Sequence, residues 1–439
     1  NFTASVIYSK DAKESITIPH FITYESNNYH VVKISENSFK DNQNIISIEF
    51  PEDSELSLID NYAFSSSSLQ NILIPSHVSQ IGEFCFSECN NLQTVEFSPQ
   101  SELKTIGKGA FSYSSISQIK IPSHLSKLSD RLFFLCTKLV SIQFSIDSEL
   151  ATIGNESFYG TSIESISIPP HVNSIGAKTF CECKKIQSIE FSKNSELCLI
   201  GNNAFYKTSL KSISVPASVE VIGNFSFFCC FELKTVEFSN DSKLHSIGDN
   251  AFASSGVEQL SIPLSVTHIG KSVFANCSNL RSVHFDDESV LRSFDPEIFS
   301  GSGIEKVNIT KDVSEITGPF RDLKKLKTIE ISEKNELFQY LNNEIFIGKK
   351  NKNGKTFSIL YFIPDDVEKV IIPSYIKRIY PLSVSKKKRL KEVLFEENSQ
   401  LETIEEESFS QCELAGINIP DSTRQICERA FSMCWNLET

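Results

Sequence analysis

Hydrophobic residues recur along this chain with a fixed period. The pattern apolar-x-apolar-Pro occurs at 72–75, and from there it returns every 47 residues up to 260–263. A series of phenylalanines with the same step runs from Phe64 to Phe346, and a second series from Phe86 to Phe274 interleaves with it. Each 47-residue period therefore consists of two similar halves of 23 and 24 residues, which predicts one structural turn for each half.

Every half contains the strand pattern seen in Leu69-x-x-Ile72-x-Ile74. Side chains of a strand alternate between its two faces, so the apolar residues are predicted to point inward and the residues between them outward. A proline after alternate strands ends the strand, and the segment from Ser76 to Gly82 turns the chain back. One turn cannot bury its apolar face alone, so the sequence predicts a stack of turns. The residues that open the strands are Ile45, Leu69, Leu92, Ile116, Leu139, Ile163, Ile186, Leu210, Leu233, Val257, Leu280, Ile304, Leu326, Val367, Leu390, Leu414 and Leu437.

Two segments depart from the repeat. Residues Ala4 to Val32 resemble a β-hairpin that covers the first turn, and surplus residues around Asn353-Gly354 indicate a second hairpin. The predicted organisation is an N-terminal hairpin or cap with the first turn (1–44), repeats (45–345), an inserted β-hairpin (346–366) and further repeats (367–439).

A turn of 23–24 residues lies within the range of leucine-rich repeats. The unit from Ile168 to Phe191, with its I-P-x-x-V-x-x-I-G and L-x-x-I-x-F elements, resembles the BspA-like leucine-rich repeats. The predicted fold is a leucine-rich-repeat solenoid of about 17 turns, counted from the strand-opening residues. Short parallel β-strands are expected on its concave face, with loops and short helical turns on its convex face. The resemblance implies a surface or secreted binding protein of bacteria or parasitic protists, often adhesive, and supplies no catalytic residues.

Composition and charge limit the classes of partner that the chain is expected to bind. A repeated phenylalanine position explains why 34 Phe occur beside one Met and one Trp. The net charge of −13 argues against nucleic acid and anionic membranes, and no apolar run predicts a membrane span. Basic residues nevertheless cluster locally in the run 386–389 and in the predicted inserted loop. That loop is predicted to bind anionic partners such as sulfated glycans through Lys349, Lys350, Lys352 and Lys355.

Of the twelve cysteines, those at the repeat position are interpreted as a buried ladder of free thiols. Five of them recur every 47 residues and so lie two turns apart, on the order of 10 Å, which is beyond the reach of a disulfide. Cys412 and Cys434 occupy this position in adjacent turns, where the required geometry is rare. Neither a metal-binding spacing nor a catalytic motif occurs, and His77, His124 and His171 repeat at 47 as surface turn residues. We therefore expect no enzyme, cofactor or metal site.

The outward residues of the strands form a polar stripe on the predicted concave face. One interpretation is a solvated surface, which is polar because water covers it. The other is a docking surface for a cationic or polyhydroxylated partner, either a protein or a glycan. The stripe consists of Glu49, Glu96, Gln143, Glu190, Glu237, His284 and Glu330, alternating with Leu73, Lys120, Ser167, Ser214, Ser261 and Asn308.

Two functions remain open from the sequence. The chain is predicted to be a cell-surface or secreted adhesin or surface antigen, and the alternative is a cytoplasmic structural or cytoskeleton-associated scaffold. The last strand register is interrupted after Leu437, which predicts a fragment that continues with more turns or a membrane anchor. An exposed last turn would also favour edge-to-edge self-association.

Overall fold

The chain folds into the turns of a parallel β-solenoid, about 18 in all. The computed structural model describes residues 2–7, 14–342, 344–349 and 356–438. Two compact units are present, Asn1–Leu233 and Lys234–Thr439. Most turns contribute one strand of three or four residues, here called a major strand, and one strand of two residues, here called a minor strand. The predicted leucine-rich-repeat architecture is thereby confirmed.

In the first unit, the major strands pair in parallel in chain order from 15–17 to 141–144, as in Leu73 opposite Glu96, and the strand 165–168 pairs with 188–191. The minor strands pair in parallel in two runs, from 58–59 to 105–106 and from 127–128 to 221–222. The major strands are Ser15–Thr17, Ser47–Glu49, Asn71–Ile74, Thr94–Phe97, Gln118–Ile121, Ser141–Phe144, Ser165–Ile168, Ser188–Phe191 and Ser212–Val215. The minor strands are Leu58–Ile59, Gln80–Ile81, Thr105–Ile106, Lys127–Leu128, Thr152–Ile153, Ser174–Ile175, Leu199–Ile200 and Val221–Ile222.

The second unit repeats this plan around an insertion. Its major strands are Thr235–Phe238, Gln259–Ile262, Ser282–Phe285, Lys306–Ile309, Thr328–Ile331, Lys369–Ile372, Glu392–Phe395 and Gly416–Ile417. Its minor strands are Ser246–Ile247, His268–Ile269, Ser293–Phe294, Glu315–Ile316, Arg378–Ile379, Thr403–Ile404 and Gln425–Ile426. The inserted strands are Phe338–Leu341, Ile345–Lys349 and Phe357–Phe362.

The core of each turn holds the repeated phenylalanine. In the first unit these rings are fully buried and stack from Phe39 to Phe227, with centroids 5.1–5.6 Å apart. This spacing is close to the distance between paired strands, because each turn places its ring at the same level as its strand. In the second unit Phe252, Phe274 and Phe299 stack in the same way. The predicted role of this position is confirmed.

The loop side differs from the expectation of short helical turns. Within the described residues, regular helix is limited to one 3₁₀ turn, Pro296–Phe299, where the Asp295 side chain accepts from the Glu297 amide. In the other loops, every second backbone amide donates to a carbonyl of the next turn, as the Phe64 amide does to the Cys85 carbonyl at 2.8 Å. The amides between them donate to a carbonyl three residues earlier in the same loop and so close tight turns. Tyr62 consequently adopts a positive φ of 54°, whose strain the hydrogen bonds between turns offset.

The glycine of the I-G element is required where neighbouring backbones approach. A Cβ atom on Gly107 would lie 2.4 Å from the amide nitrogen of Glu83. We therefore expect Gly107→Ala to lower the free energy of unfolding by about 1–3 kcal/mol through overpacking, measured by urea denaturation. Gly416→Ala is the control, because a Cβ there meets no atom within 4 Å. Equal midpoints for the two variants would show that the close approach is unimportant.

The N-terminal segment covers the first turn with strands of its own. Phe21–Tyr24 and Asn27–Ile34 form the predicted antiparallel hairpin. Asn27–Ile34 also pairs in parallel with Leu58–Ile59 and with Phe2–Val6. The segment therefore extends both ladders, since Ser15–Thr17 pairs with Ser47–Glu49.

The inserted strands Ile345–Lys349 and Phe357–Phe362 pair antiparallel, as the hairpin prediction requires, while Asn353-Gly354 lies outside the described residues. Phe338–Leu341 adds a further antiparallel strand that the sequence did not indicate. The insertion also displaces the phenylalanine series. Phe320 stacks on Phe362 at 5.0 Å, whereas Phe346, which falls on the 47-residue series, meets Phe320 edge-on.

Candidate functional site

The seven stripe residues predicted to bind a partner lie at the solvent-facing positions of the major strands. This surface is here called the major face of each unit. All seven are exposed: Glu49, Glu96, Gln143 and Glu190 in the first unit, and Glu237, His284 and Glu330 in the second.

A groove lies on the major face of the first unit, with a volume of about 400 Å³. Strands Thr94–Phe97, Gln118–Ile121 and Ser141–Phe144 form its floor. Lys120 is in register with Gln143, which places an ammonium group beside an amide. The polar side chains that line the groove are Thr94, Glu96, Ser98, Gln118, Lys120, Ser141, Gln143 and Ser145. The floor therefore carries both signs of charge among neutral hydroxyl and amide groups.

Some side chains on the major face of the second unit are paired with one another or with the backbone. The Lys306 ammonium lies 2.6 Å from the Glu330 carboxylate. Asn308 does not point to solvent as predicted, because its side chain donates to the Phe285 carbonyl and accepts from the Phe285 amide at 2.9 Å. This bridge replaces strand hydrogen bonds next to Phe285 and leaves Asn308 half-buried.

The basic residues do not all form one patch. Lys349 places its ammonium 5.1 Å from the centre of the Phe357 ring, and Lys350, Lys352 and Lys355 lie outside the described residues. In the run 386–389, Lys386 is paired with Asp322 at 2.6 Å. Lys387 is buried against Asp365.

The cysteine series forms a buried ladder, and all twelve cysteines are free. The Cys183 thiol donates to the Phe158 carbonyl at 2.9 Å and lies 3.3 Å from the Thr161 hydroxyl. The same arrangement recurs at Cys89, Cys136, Cys230 and Cys277. Burial raises the pKa of the Cys183 thiol to about 11 and that of Cys136 to about 12. Because the thiolate is the reactive form, these groups are poor nucleophiles and metal ligands.

Alkylation measures this burial. With iodoacetamide on the folded chain we expect Cys198, which is partly exposed, to be modified well before Cys183. In denaturant without reductant, all twelve cysteines should be modified. Peptide mass spectrometry identifies the sites. Disulfide-linked peptides, or equal rates at Cys183 and Cys198, would contradict the ladder.

One cluster of possible metal ligands was not predicted from the sequence. His20, His30 and Glu55 place three ligand-type atoms within 4.8 Å of one another in the N-terminal region. Their spacing in sequence matches no metal-binding motif, and the only available signal was the hairpin that contains both histidines. By contrast, each of His77, His124 and His171 bonds to one glutamate of a neighbouring turn at 3.0–3.2 Å. Those three are exposed, as the sequence predicted.

Within the described residues, no helix has the length and hydrophobicity needed to cross a membrane. No curated protein matches the sequence. A solved leucine-rich repeat protein from Bacteroides ovatus is 22% identical with a TM-score of 0.51, covering 97% of this chain and 85% of that chain. The pneumococcal vaccine antigen PcpA is 19% identical with a TM-score of 0.41, covering 75% of this chain and 90% of its own.

A family profile provides the assignment. The BspA type leucine-rich repeat region matches six times, at residues 14–140, 104–199, 151–270, 198–327, 245–366 and 320–438. These matches together span the turns of both units. The chain therefore belongs to the BspA-type leucine-rich repeat family.

Proposed function

We propose that this chain is a non-catalytic binding scaffold, exposed on a cell surface or secreted, that binds a partner protein through the major face of its first unit. Solenoids of this class generally act as interaction scaffolds, and the BspA-type family is described as one of cell-surface proteins. The observation that carries the proposal is the open groove around Glu96, Lys120 and Gln143.

The chemistry of the groove suits an extended polar segment that contains a basic residue. Its hydroxyl and amide groups recur at the spacing of paired strands, so they can bond to successive groups of a ligand laid across the strands. Glu96 supplies a carboxylate in the groove, and Glu49 and Glu190 add further exposed carboxylates to the same face. Ser167 donates to Glu190 at 2.9 Å, which orients that carboxylate. Carboxylates on this face attract a cationic partner, and salt weakens that attraction.

Arrays of synthetic peptides and of glycans test this proposal with the full chain. We expect retention on basic peptides, and Glu96→Lys should weaken it at least about tenfold, which corresponds to roughly 1.4 kcal/mol. The matched control is Glu83→Lys, which makes the same change of charge at an exposed position of the loop side. Binding to glycans alone, or an equal loss in both variants, would contradict a protein ligand at the groove.

The basic insert is a second binding candidate, proposed from its sequence. Lysines 349, 350, 352 and 355 border the Asn353-Gly354 pair and would favour sulfated glycans. We expect the chain to bind a heparin column and the variant with four Lys→Glu changes to elute at lower salt. Unchanged retention would remove this candidate.

The cellular location has two candidates. Family membership favours the cell surface, whereas free thiols are typical of reducing compartments and favour a cytoplasmic scaffold. Burial of the cysteine ladder accounts for free thiols in either compartment, so we propose the surface. Biotinylation of intact cells with an impermeant reagent should label the protein, and labelling only after lysis would favour the cytoplasmic alternative.

A further inference from the structure

Strand pairing brings two histidines and a glutamate together in the N-terminal region. The hairpin places Phe21 opposite His30, and the Val31 amide donates to the His20 carbonyl at 2.9 Å, so the two imidazoles lie side by side. Lys33 pairs with Leu58, which draws the loop containing Glu55 against the hairpin. The three side chains thus come from the hairpin and from the loop after the major strand Ser47–Glu49.

The donor atoms converge on one point. His20 Nε2 lies 2.9 Å from His30 Nδ1 and 3.5 Å from Glu55 Oε1, and His30 Nδ1 lies 3.2 Å from the same oxygen. Donors bound tetrahedrally at zinc's usual ligand distances would be separated by about 3.4 Å. The observed triangle therefore needs only a small expansion to hold such an ion.

A fourth residue orients the cluster. Asp53 Oδ2 lies 2.6 Å from His20 Nδ1, so this nitrogen donates a hydrogen bond and the lone pair of the neutral ring lies on Nε2, facing the other donors. A carboxylate behind a ligating histidine is the usual arrangement in metal sites, where it fixes the tautomer. The Glu55 side chain is 46% exposed, which leaves the cluster accessible from solvent.

We propose that His20, His30 and Glu55 bind a divalent transition metal, with Zn²⁺ as the preferred ion and Asp53 as the positioning residue for His20. Two imidazoles and one carboxylate suit zinc and its neighbours rather than Ca²⁺ or Mg²⁺, which prefer oxygen ligands. The bound ion ties the hairpin to the first repeat and so stabilises the cap. This proposal is independent of the groove on the major face.

Calorimetric titration of the full chain with Zn²⁺, after treatment with EDTA and removal of the chelator, tests the site. We expect one high-affinity equivalent per chain. His20→Gln and Glu55→Gln should each weaken it at least about tenfold, and Asp53→Asn about 10–100-fold through the lost orientation of His20. Glu55→Gln serves if His20→Gln fails to fold by circular dichroism, since Glu55 is half exposed in a loop.

The matched control is His124→Gln. His124 bonds to the Glu149 carboxylate at 3.0 Å, just as His20 bonds to a carboxylate in the proposed site. In the described part of the chain, however, only His20, His30 and Glu55 form a group of three possible metal ligands, and His124 and Glu149 do not belong to it. We expect this variant to bind Zn²⁺ like the parent. Co²⁺ bound at the site should show ligand-field absorption without thiolate-to-cobalt charge transfer. Absence of Zn²⁺ binding, an unchanged isotherm for Glu55→Gln, or a thiolate signal would overturn the proposal.

Discussion

Phe205→Ala is expected to lower the free energy of unfolding by about 3–5 kcal/mol, because it removes a large side chain from a closed core. Phe205 is fully buried, and its ring lies between those of Phe180 at 5.3 Å and Phe227 at 5.1 Å. Alanine leaves a cavity that the strands on either side cannot close without breaking their hydrogen bonds. Each turn contacts only its neighbours, so the loss should be greatest in the adjoining turns.

Urea denaturation followed by circular dichroism measures the global effect, and hydrogen exchange measures its spread along the chain. Phe231→Ala is the control within the first unit, since Phe231 is 66% exposed. It should change stability by less than about 0.5 kcal/mol. If Phe205→Ala unfolds at the same urea concentration as the parent, the phenylalanine stack does not form the core.

Asp365→Asn is expected to destabilise the second unit by about 3–5 kcal/mol, because it leaves a buried lysine without its counter-ion. Lys387 is buried, its ammonium bonds to Asp365, and it lies 4.6 Å from the centre of the Phe362 ring. Burial lowers the pKa of Lys387, which shows that the protein environment disfavours its charge. Asparagine retains the shape of Asp365 but supplies no negative charge.

Two further variants show whether the loss of stability comes from the unpaired charge of Lys387 or from the substitution itself. Asp366→Asn makes the same chemical change at the next, exposed position and should be nearly neutral. Lys387→Met removes the buried charge and keeps an apolar chain of similar length, so it should cost much less than Asp365→Asn. Thermal melts of the three variants provide the comparison. Similar melting temperatures for Asp365→Asn and Asp366→Asn would show that Lys387 does not depend on Asp365.

Much of the fold was predictable, because the same residue types recur at equivalent positions of successive turns. Ile72 and Ile74 are buried as their alternation requires, and Glu96 is exposed between strand residues that point inward. The period also indicated that Cys183 is buried and that Phe205 belongs to the core. Each of these conclusions concerns a residue and its neighbouring turns. The environment there repeats from turn to turn, so it determines whether the side chain is buried or exposed.

The same reasoning was less informative where the period breaks. Phe346 falls on the 47-residue series, yet Phe362 stacks on Phe320, because the inserted strands reverse the chain direction and present different side chains to the core. Asn308 occupies an outward position by pattern, yet its short amide side chain reaches the adjacent backbone. The sequence shows Lys387 only as part of a basic run, whereas in the structure it is buried and paired with Asp365.

The sequence by itself determined the repeating turn, the alternation of buried and exposed strand positions, the phenylalanine and cysteine ladders and the polar major face. It could do so because side chains alternate between the two faces of a strand and equivalent positions of successive turns stack on one another, so the spacing of residues in the sequence gives their neighbours in space. Only the tertiary structure decided how the cap joins the first turn, which residues the insertion presents to the core, and that His20, His30 and Glu55 meet. Those contacts join segments that do not share the repeat, and their geometry depends on hairpin register and loop packing, which no periodic pattern encodes.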